Sequence, residues 1–347
     1  MTEDEVPRRR VRYKGTHPRR FQEKYKELAP GDHAAELEKV IARGHTPAGT
    51  HRPICVVEIL AVLNPQPGEV ALDATLGYGG HTRELLPHLL PGGHLYGVDV
   101  DPLELPRTEA RLRDLGFGED VLSVRRMNFA GLPRLHAESG GFDVVLADLG
   151  VSSMQIDNPA RGFTWKADGP LDLRLNPPRG RTAADLLASL EEATLVEILV
   201  ENADEPHAAA IARAVHGAAI RTTRDLAEQV RAALRTEIAE LDREAETKKS
   251  LQRTFQALRI AVNDELTVLD QFLSLLPACL KPGARVAILT FHSGEDRRVK
   301  KAFQRGLREG TYEAVAPDPL RASPEERRAN PRSTSAKLRW ARVPALS

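Results

Sequence analysis

From about residue 54 onward, apolar and polar positions alternate in a regular pattern. Ile54 to Leu63 is an apolar helical stretch, and Glu69 to Leu72 predicts a short buried strand ending at Asp73. Thr82 to Leu90 predicts a helix closed by Pro91-Gly92-Gly93, followed by a second strand from His94 to Val98 that ends at Asp99. Leu103 to Leu115 is helical, Val121 to Arg125 is a third strand, and Phe142 to Ala147 is a fourth, ending at Asp148. Strands separated by helices at this spacing imply a parallel, doubly wound sheet. From about residue 158 to 265 the strand signal vanishes. Thr182 with Asp185, Ser189 with Glu192, and Thr222 with Asp225 each set an acidic residue three positions after a hydroxyl, the pattern of a helix N-terminus. Leu226, Val230 and Leu234 then recur on one helical face. Strand character returns at Arg285 to Phe291, after a turn at Lys281-Pro282-Gly283, with further candidates at Tyr312 to Ala316 and Ala336 to Val343. The expected organisation is a sheet domain over 51–157 and 266–347, finished by a C-terminal hairpin and interrupted by a helical domain over 158–265.

Residues 1–50 carry little apolar periodicity but many cations, among them Arg8, Arg9, Arg10, Arg12, Lys14, Arg19, Arg20, Lys24 and Lys26. Such an extension reads as a solvated tail or as an arm that contacts phosphates. Over the whole chain the 49 Lys and Arg equal the 49 Asp and Glu, so no global field advertises a polyanionic partner and any nucleic-acid surface must be local. The only cysteines, Cys55 and Cys279, lie in apolar stretches without a second Cys or His at ligand spacing, so no metal site and no disulfide are expected. The N-terminus is charged and no run approaches the roughly 18 apolar residues of a membrane span, so a cytoplasmic protein is expected.

The first strand leads into Asp73-Ala74-Thr75-Leu76-Gly77-Tyr78-Gly79-Gly80-His81, where glycines let the backbone approach a ligand just before a helix N-terminus. Asp99, closing the second strand, stands where nucleotide-binding folds hold an acid for the ribose hydroxyls. A nicotinamide dehydrogenase fits less well. The turn is not a clean G-x-G-x-x-G, and Asp73 would meet a pyrophosphate with like charge, whereas it suits a cationic sulfonium. Phe129, after the third strand, is an aromatic near the place of an adenine, or equally a core residue.

These residues resemble one family, the 16S rRNA (cytosine-N4)-methyltransferases, also called RsmH or MraW. The likeness runs from about His51 to Arg339. It rests on Asp73 to His81, Ala147-Asp148-Leu149-Gly150-Val151-Ser152-Ser153 with Gln155, Arg161-Gly162-Phe163-Thr164, and Asp168 to Arg174. It continues through Arg253 to Ile260 with Asn263 and Glu265-Leu266, Phe291-His292-Ser293 with Glu295-Asp296-Arg297, and Asn330 to Ser333 leading to Lys337-Leu338-Arg339. The resemblance implies a class I S-adenosylmethionine-dependent methyltransferase fold, Rossmann-like, carrying an inserted helical domain. It further implies methylation of N4 of a cytidine in 16S rRNA near the decoding centre, with the small ribosomal subunit as partner and neither DNA nor a membrane. Cofactor contacts would fall on Gly79, Gly80, His81, Asp99, Phe129, Asp148 and Gln155. Arg253, Arg259, His292, Ser293 and Arg297 are substrate candidates, and Asp148 and His292 are the candidates for a catalytic role.

Departures from the family pattern stand at Ala74, Leu76, Met154 and Gly294, and in the insert at Ala203-Asp204-Glu205. Many enzymes that methylate exocyclic amines have an Asn/Asp-Pro-Pro-aromatic motif after the fourth strand; this chain has Asp148-Leu149-Gly150-Val151 there. Asn176-Pro177-Pro178-Arg179 lies in the insert and reads as a turn. Alternatives are a class I methyltransferase acting on another RNA base or a ribosomal protein, and a non-catalytic ribosome-assembly factor.

Overall fold

A computed structural model of the protein describes residues 53–240 and 242–346. The basic extension before residue 51 lies outside the described residues. Helix α1 (Val56–Leu63) precedes strand β1 (Val70–Asp73), helix α2 (Gly80–Leu89), strand β2 (His94–Asp99), helix α3 (Leu105–Asp114) and strand β3 (Leu122–Arg126). Helix α4 (Leu132–Ser139) leads to strand β4 (Phe142–Asp148) and the short helix α5 (Ser153–Asp157). Five helices follow: α6 (Ala183–Ser189), α7 (Glu192–Ala203), α8 (Ala208–Val215), α9 (Thr223–Glu237) and α10 (Arg243–Asn263). Helix α11 (Glu265–Leu275) and strand β5 (Leu280–Thr290) return to the sheet, and α12 (Ser293–Arg308), β6 (Ala314–Val315), α13 (Pro324–Ala329) and β7 (Lys337–Arg342) complete it.

The seven strands lie in the order β3-β2-β1-β4-β5-β7-β6. The first five are parallel, and β7 runs antiparallel to both β5 and β6. This is the doubly wound, class I methyltransferase-type sheet with a C-terminal hairpin. Alternation along the strands feeds two separate cores. Phe142, Val145 and Ala147 of β4 and Val286 and Ile288 of β5 pack with Leu135 of α4, Phe272 of α11 and Phe303 of α12. Val144 and Leu146, with Ala287 and Leu289, point the other way, to Ile59 of α1, Leu86 of α2 and Leu112 of α3. A two-residue period with both faces covered is what a buried parallel sheet requires. The strand order reverses between β1 and its neighbours β2 and β4, and such a reversal leaves a crevice at the carboxyl ends of the strands.

Helices α6 to α10 share a third core built around Leu199, Ile211, Leu226, Val230, Phe255 and Leu258. Entry to and exit from this segment are tied by one side chain. Asn263 at the end of α10 accepts the N–H of Leu175 at 2.7 Å and donates to the carbonyl of Leu173 at 2.8 Å.

Local readings meet the structure unevenly. Thr182 with Asp185 and Thr222 with Asp225 form reciprocal capping boxes at α6 and α9. Ser189 does not cap α7. It is the last residue of α6 and donates back to Leu186, because Leu190 turns extended and Glu191 becomes the N-cap of α7 without a side-chain bond. Lys281-Pro282-Gly283 is not a turn ahead of the strand but a bulge within β5, since Phe142 faces Leu280 while Val144 faces Arg285. Gly283 takes φ +76° there. Asn176 to Arg179 is a turn, closed by the N–H of Arg179 on the carbonyl of Asn176.

Candidate functional site

Three strand ends converge at the carboxyl edge. The turn after β1 is shaped by Asp73, which accepts the Thr75 N–H at 3.1 Å and the Thr82 hydroxyl at 2.7 Å. Gly79 sits at φ +74°, and a Cβ there would lie 3.0 Å from Thr108 and 3.1 Å from Leu112, so a side chain would be strained and would push on both neighbours. Gly80 opens α2 against Pro53. The Asp73 carboxylate is therefore engaged beneath the turn and not aimed into open space. Burial, partly offset by Thr82, raises its pKa.

Asp99 closes β2. Its two carboxylate oxygens accept the N–H groups of Gly77, at 2.8 Å, and Asp101, at 2.9 Å, which leaves lone pairs for further donors. Burial also raises its pKa, against these two bonds. Phe129 begins a 3-10 turn after β3, half-buried, with its ring edge-on to Phe272 at 5.1 Å between centroids. It shares the core while standing at the same edge.

Asp148 ends β4, its N–H held by the Thr75 hydroxyl at 2.6 Å. His81 Nε2 lies 3.3 Å from Asp148 Oδ2, within electrostatic reach but off the line of a hydrogen bond. Both His81 Nε2 and Asp148 Oδ1 are buried without a hydrogen-bond partner. Leaving such atoms unpaired costs about 1–3 kcal/mol each, so the pair is suited to an additional polar ligand. Burial pulls the His81 pKa down, but the carboxylates of Asp148 and Asp73 outweigh it and the net direction is upward.

Gln155 serves a different geometry from the one its residue type alone suggests. Its backbone N–H and side-chain oxygen complete a capping box with Ser152 at α5, while its amide nitrogen donates to Asp101 at 2.9 Å. Asp101 is a hub that sequence reasoning missed. It is 1% exposed and pairs with Arg161 at 2.7 Å, and Arg161 also donates to the carbonyls of Arg174 and Leu175. The only sequence signal for Asp101 was its place two residues after Asp99.

The substrate candidates gather at the β5 end and on the insert, each with a partner inside the protein. His292 is the N-cap of α12: its Nδ1 accepts the Glu295 N–H, and its Nε2 lies 3.1 Å from Glu295 Oε1, off hydrogen-bond alignment. Arg259 makes a two-pronged pair with Glu265 at 2.8 and 2.9 Å, so its guanidinium is committed rather than open to a phosphate. Ser293 donates to Asp204 at 2.9 Å, and Arg297 lies 3.6 Å from the same carboxylate oxygen. Arg253 approaches the buried Glu205 at 4.0 Å. Buried Glu295 has its pKa lowered: burial opposes this, but His292, the Phe291 N–H and Arg259 prevail.

Among the described residues, Cys55, Glu58 and Glu326 bring potential metal-ligand atoms within 4.8 Å of one another. Glu326 already accepts the Cys55 N–H at 3.0 Å. Burial, with Glu326 and Glu58 adding to it, pushes the Cys55 thiol up to about 12 and keeps it protonated.

A family model described as the MraW methylase family matches residues 48–343. Ribosomal RNA small subunit methyltransferase H 2 of Alkaliphilus metalliredigens is 56% identical over 343 residues, covering 97% of this chain and 98% of that protein. Ribosomal RNA small subunit methyltransferase H 1 of Lachnoclostridium phytofermentans is 53% identical over 347 residues, covering 98% and 94%. A protein of the same name from Agathobacter rectalis is 49% identical over 346 residues, covering 98% and 99%.

Proposed function

The chain belongs to the MraW methylase family, and on that premise we propose that it transfers a methyl group from S-adenosylmethionine to N4 of a cytidine in 16S rRNA, near the decoding centre. It is an rRNA methyltransferase acting on the small subunit. The observation that carries the finer reading is the pair of buried, unpartnered atoms, His81 Nε2 and Asp148 Oδ1, at the edge where the Asp73 and Asp99 carboxylates also end their strands.

The donor set fits a cationic nucleoside. S-adenosylmethionine supplies an electrophilic methyl group on a positively charged sulfur. Asp99 offers its remaining lone pairs to the ribose hydroxyls, charge-assisted bonds worth about 1.5–3 kcal/mol each. Gly79 and Gly80 keep the turn low beneath the nucleoside, and Phe129 offers a ring to the base. Gln155 holds α5 against Asp101 and so fixes the wall of the site. His81 and Asp148 face the reacting end.

Displacement at a methyl group asks mainly for alignment, and a rigid edge supplies it. The exocyclic amine of cytosine is a weak nucleophile because its lone pair is shared with the ring. An acceptor for one of its protons helps as positive charge develops on nitrogen. Asp148 Oδ1 is that acceptor, with Oδ2 steadied by His81 and the backbone fixed by Thr75. His292 orders the start of α12 beside it, where the Leu149 N–H bonds the Leu289 carbonyl. The helical insert, through Arg253 and through Asp204, which meets Ser293 and Arg297, contributes the RNA-facing wall.

The test is calorimetry of the purified protein with S-adenosylmethionine, with its demethylated product and with NAD, followed by nucleoside mass spectrometry of small-subunit RNA from a deletion strain. Binding of the first two ligands and loss of N4-methylcytidine are expected; NAD binding alone, or an unchanged nucleoside profile, overturns the reading. Asp148→Asn should cut kcat by 100-fold or more, the scale of losing a proton acceptor. Its cofactor affinity should stay within about threefold, which separates proton acceptance from cofactor holding.

A further inference from the structure

Helix α12 differs from the other surface helices in its charge. From Arg297 to Arg308 it carries six cations, Arg297, Arg298, Lys300, Lys301, Arg305 and Arg308, and no acid. On α9 three cations are balanced by three acids. Several cations elsewhere pair with an acid three or four positions away, as in Arg107 with the N-cap Glu104 and Arg113–Glu109 on α3 and Lys249–Glu246 on α10. On α12, Arg298 pairs with Asp270 and Arg297 reaches Asp204. Lys300, Lys301, Arg305 and Arg308 have no ion pair or side-chain hydrogen bond among the described residues.

At about 100° per residue these cations fall within one arc of roughly 160°, opposite the buried Val299, Phe303 and Gly306. From Arg297 to Arg308 the arc runs about 16 Å along the axis. Like charges three and four residues apart each weaken a helix by roughly 0.2–0.5 kcal/mol, so the arrangement works against the helix that carries it. A polyanion laid along the arc removes that repulsion. The helix starts at the end of β5, next to the Asp148 end of β4, so the stripe begins at the candidate site and leads away from it.

We infer that the exposed side of α12 is the surface along which the phosphodiester backbone of the RNA substrate runs as it leaves the active site. The inference rests on the RNA-methyltransferase reading above. A protein partner fits this face poorly. It presents no aromatic side chain, and Leu307, 41% exposed, is its only large exposed apolar residue, whereas protein interfaces are anchored by buried aromatic and apolar groups. Cations on a regular helix meet phosphates without reading bases. The stripe therefore adds affinity and sets the direction of the strand, while the choice of nucleotide stays at the strand ends.

The test combines Lys300→Gln, Lys301→Gln and Arg308→Gln in the full chain, with protein-free small-subunit RNA as the ligand across a salt series. The slope of log affinity against log salt should flatten by about 2, at roughly 0.7 per lost contact with single-stranded RNA. S-adenosylmethionine affinity, kcat at saturating RNA and the methylated position should stay as in the parent protein. A control triple on α9, Arg224→Gln with Arg231→Gln and Arg235→Gln, should change the slope by less than one contact. An unchanged slope in the α12 triple, or an equal loss in the control, overturns the inference. So does unchanged binding to protein-free RNA with weakened binding to the intact subunit, which would assign the face to a ribosomal protein. A parent protein that binds no cofactor and methylates no small-subunit RNA would instead sink the functional reading itself, and that outcome is visible before any variant is made.

Discussion

Two ends of the same sheet treat buried carboxylates in opposite ways. At the β1 and β2 ends, Asp73 and Asp99 have raised pKa values, because burial penalises their charge and is only partly offset, by Thr82, His81 and the Thr75 N–H at Asp73 and by the Asp101 and Gly77 N–H groups at Asp99. At the β5 end, Glu295 and Asp296 have lowered values although burial opposes this too, because His292 and Arg259 stand by the first and Arg339 and Lys337 by the second. All four are carboxylates opposed by burial, and the arginine and lysine neighbours at the β5 end, Arg259 at Glu295 and Arg339 with Lys337 at Asp296, tip the sign there. At the first end no arginine or lysine among the described residues is a leading influence on Asp73 or Asp99, and His81 is the one basic side chain that is. The other already has its cations in place, with Arg297, Arg253 and Arg259 facing Asp204, Glu205 and Glu265.

The strongest way to break the comparison is through Asp101, which lies on the first end but has its cation, Arg161, in place. Arg161→Met leaves that carboxylate buried without its cation, held by Gln155 and backbone N–H groups only, and should cost about 3–5 kcal/mol of stability, read from urea unfolding. A loss under 1 kcal/mol would mean that the pair is not a structural hinge between the sheet and the insert. Next in size is Asp99→Ala, which should weaken S-adenosylmethionine by roughly tenfold to a hundredfold, the equivalent of one charge-assisted bond. An unchanged dissociation constant in a folded variant contradicts the ribose assignment.

A third prediction sharpens the contrast by pH. The folded pKa of Glu295 lies below its ordinary value of 4.5, so its contribution to stability is present above that pH and is lost as pH falls through the folded value. The folded pKa of Asp73 lies above 3.8, so its ionised form costs stability, and that cost grows as pH rises from 3.8 through the folded value. Unfolding measured between pH 3 and 7 should show Glu295→Gln losing ground to the parent as pH rises. Asp73→Asn should gain ground over the same interval. Parallel curves for both variants would erase the difference between the two ends. The smallest expected effect is that of Asp204→Ala, which frees Ser293 and Arg297. It should change stability by no more than about 1 kcal/mol, as exposed pairs do, while RNA binds somewhat more tightly.

Much of the sheet was legible because β1, β2 and β4 are short apolar runs ending in an acid, and Asp73, Asp99 and Asp148 lie where those runs stop. Lys281-Pro282-Gly283 misled because a bulge and a turn use the same residues, and only the register against β4 tells them apart. Of the site, Asp99 followed from strand-end logic alone, whereas Gln155 came from family resemblance and its bond to Asp101 spans 54 positions. Arg259 looked open to phosphate for a related reason. Glu265 is six residues on, too far to be its neighbour on one helix, and the left-handed Asp264 between α10 and α11 brings the two together.

The place where the insert interrupts the sheet also affects how the chain assembles. Strands β4 and β5 are adjacent, yet about 130 residues separate them in sequence, so their pairing must close a long loop. During synthesis at about 5–20 residues per second, β4 waits on the order of ten seconds with Val144 to Ala147 on an unpaired edge. If α6 to α10 gather around their own core in that interval, Asn263 draws the two chain crossings together and most of the loop is closed before β5 emerges. The insert would then act as a clamp on folding order as well as a wall of the site. Substitutions that loosen it should first appear as aggregation of nascent chains, before any change in the activity of the molecules that do fold.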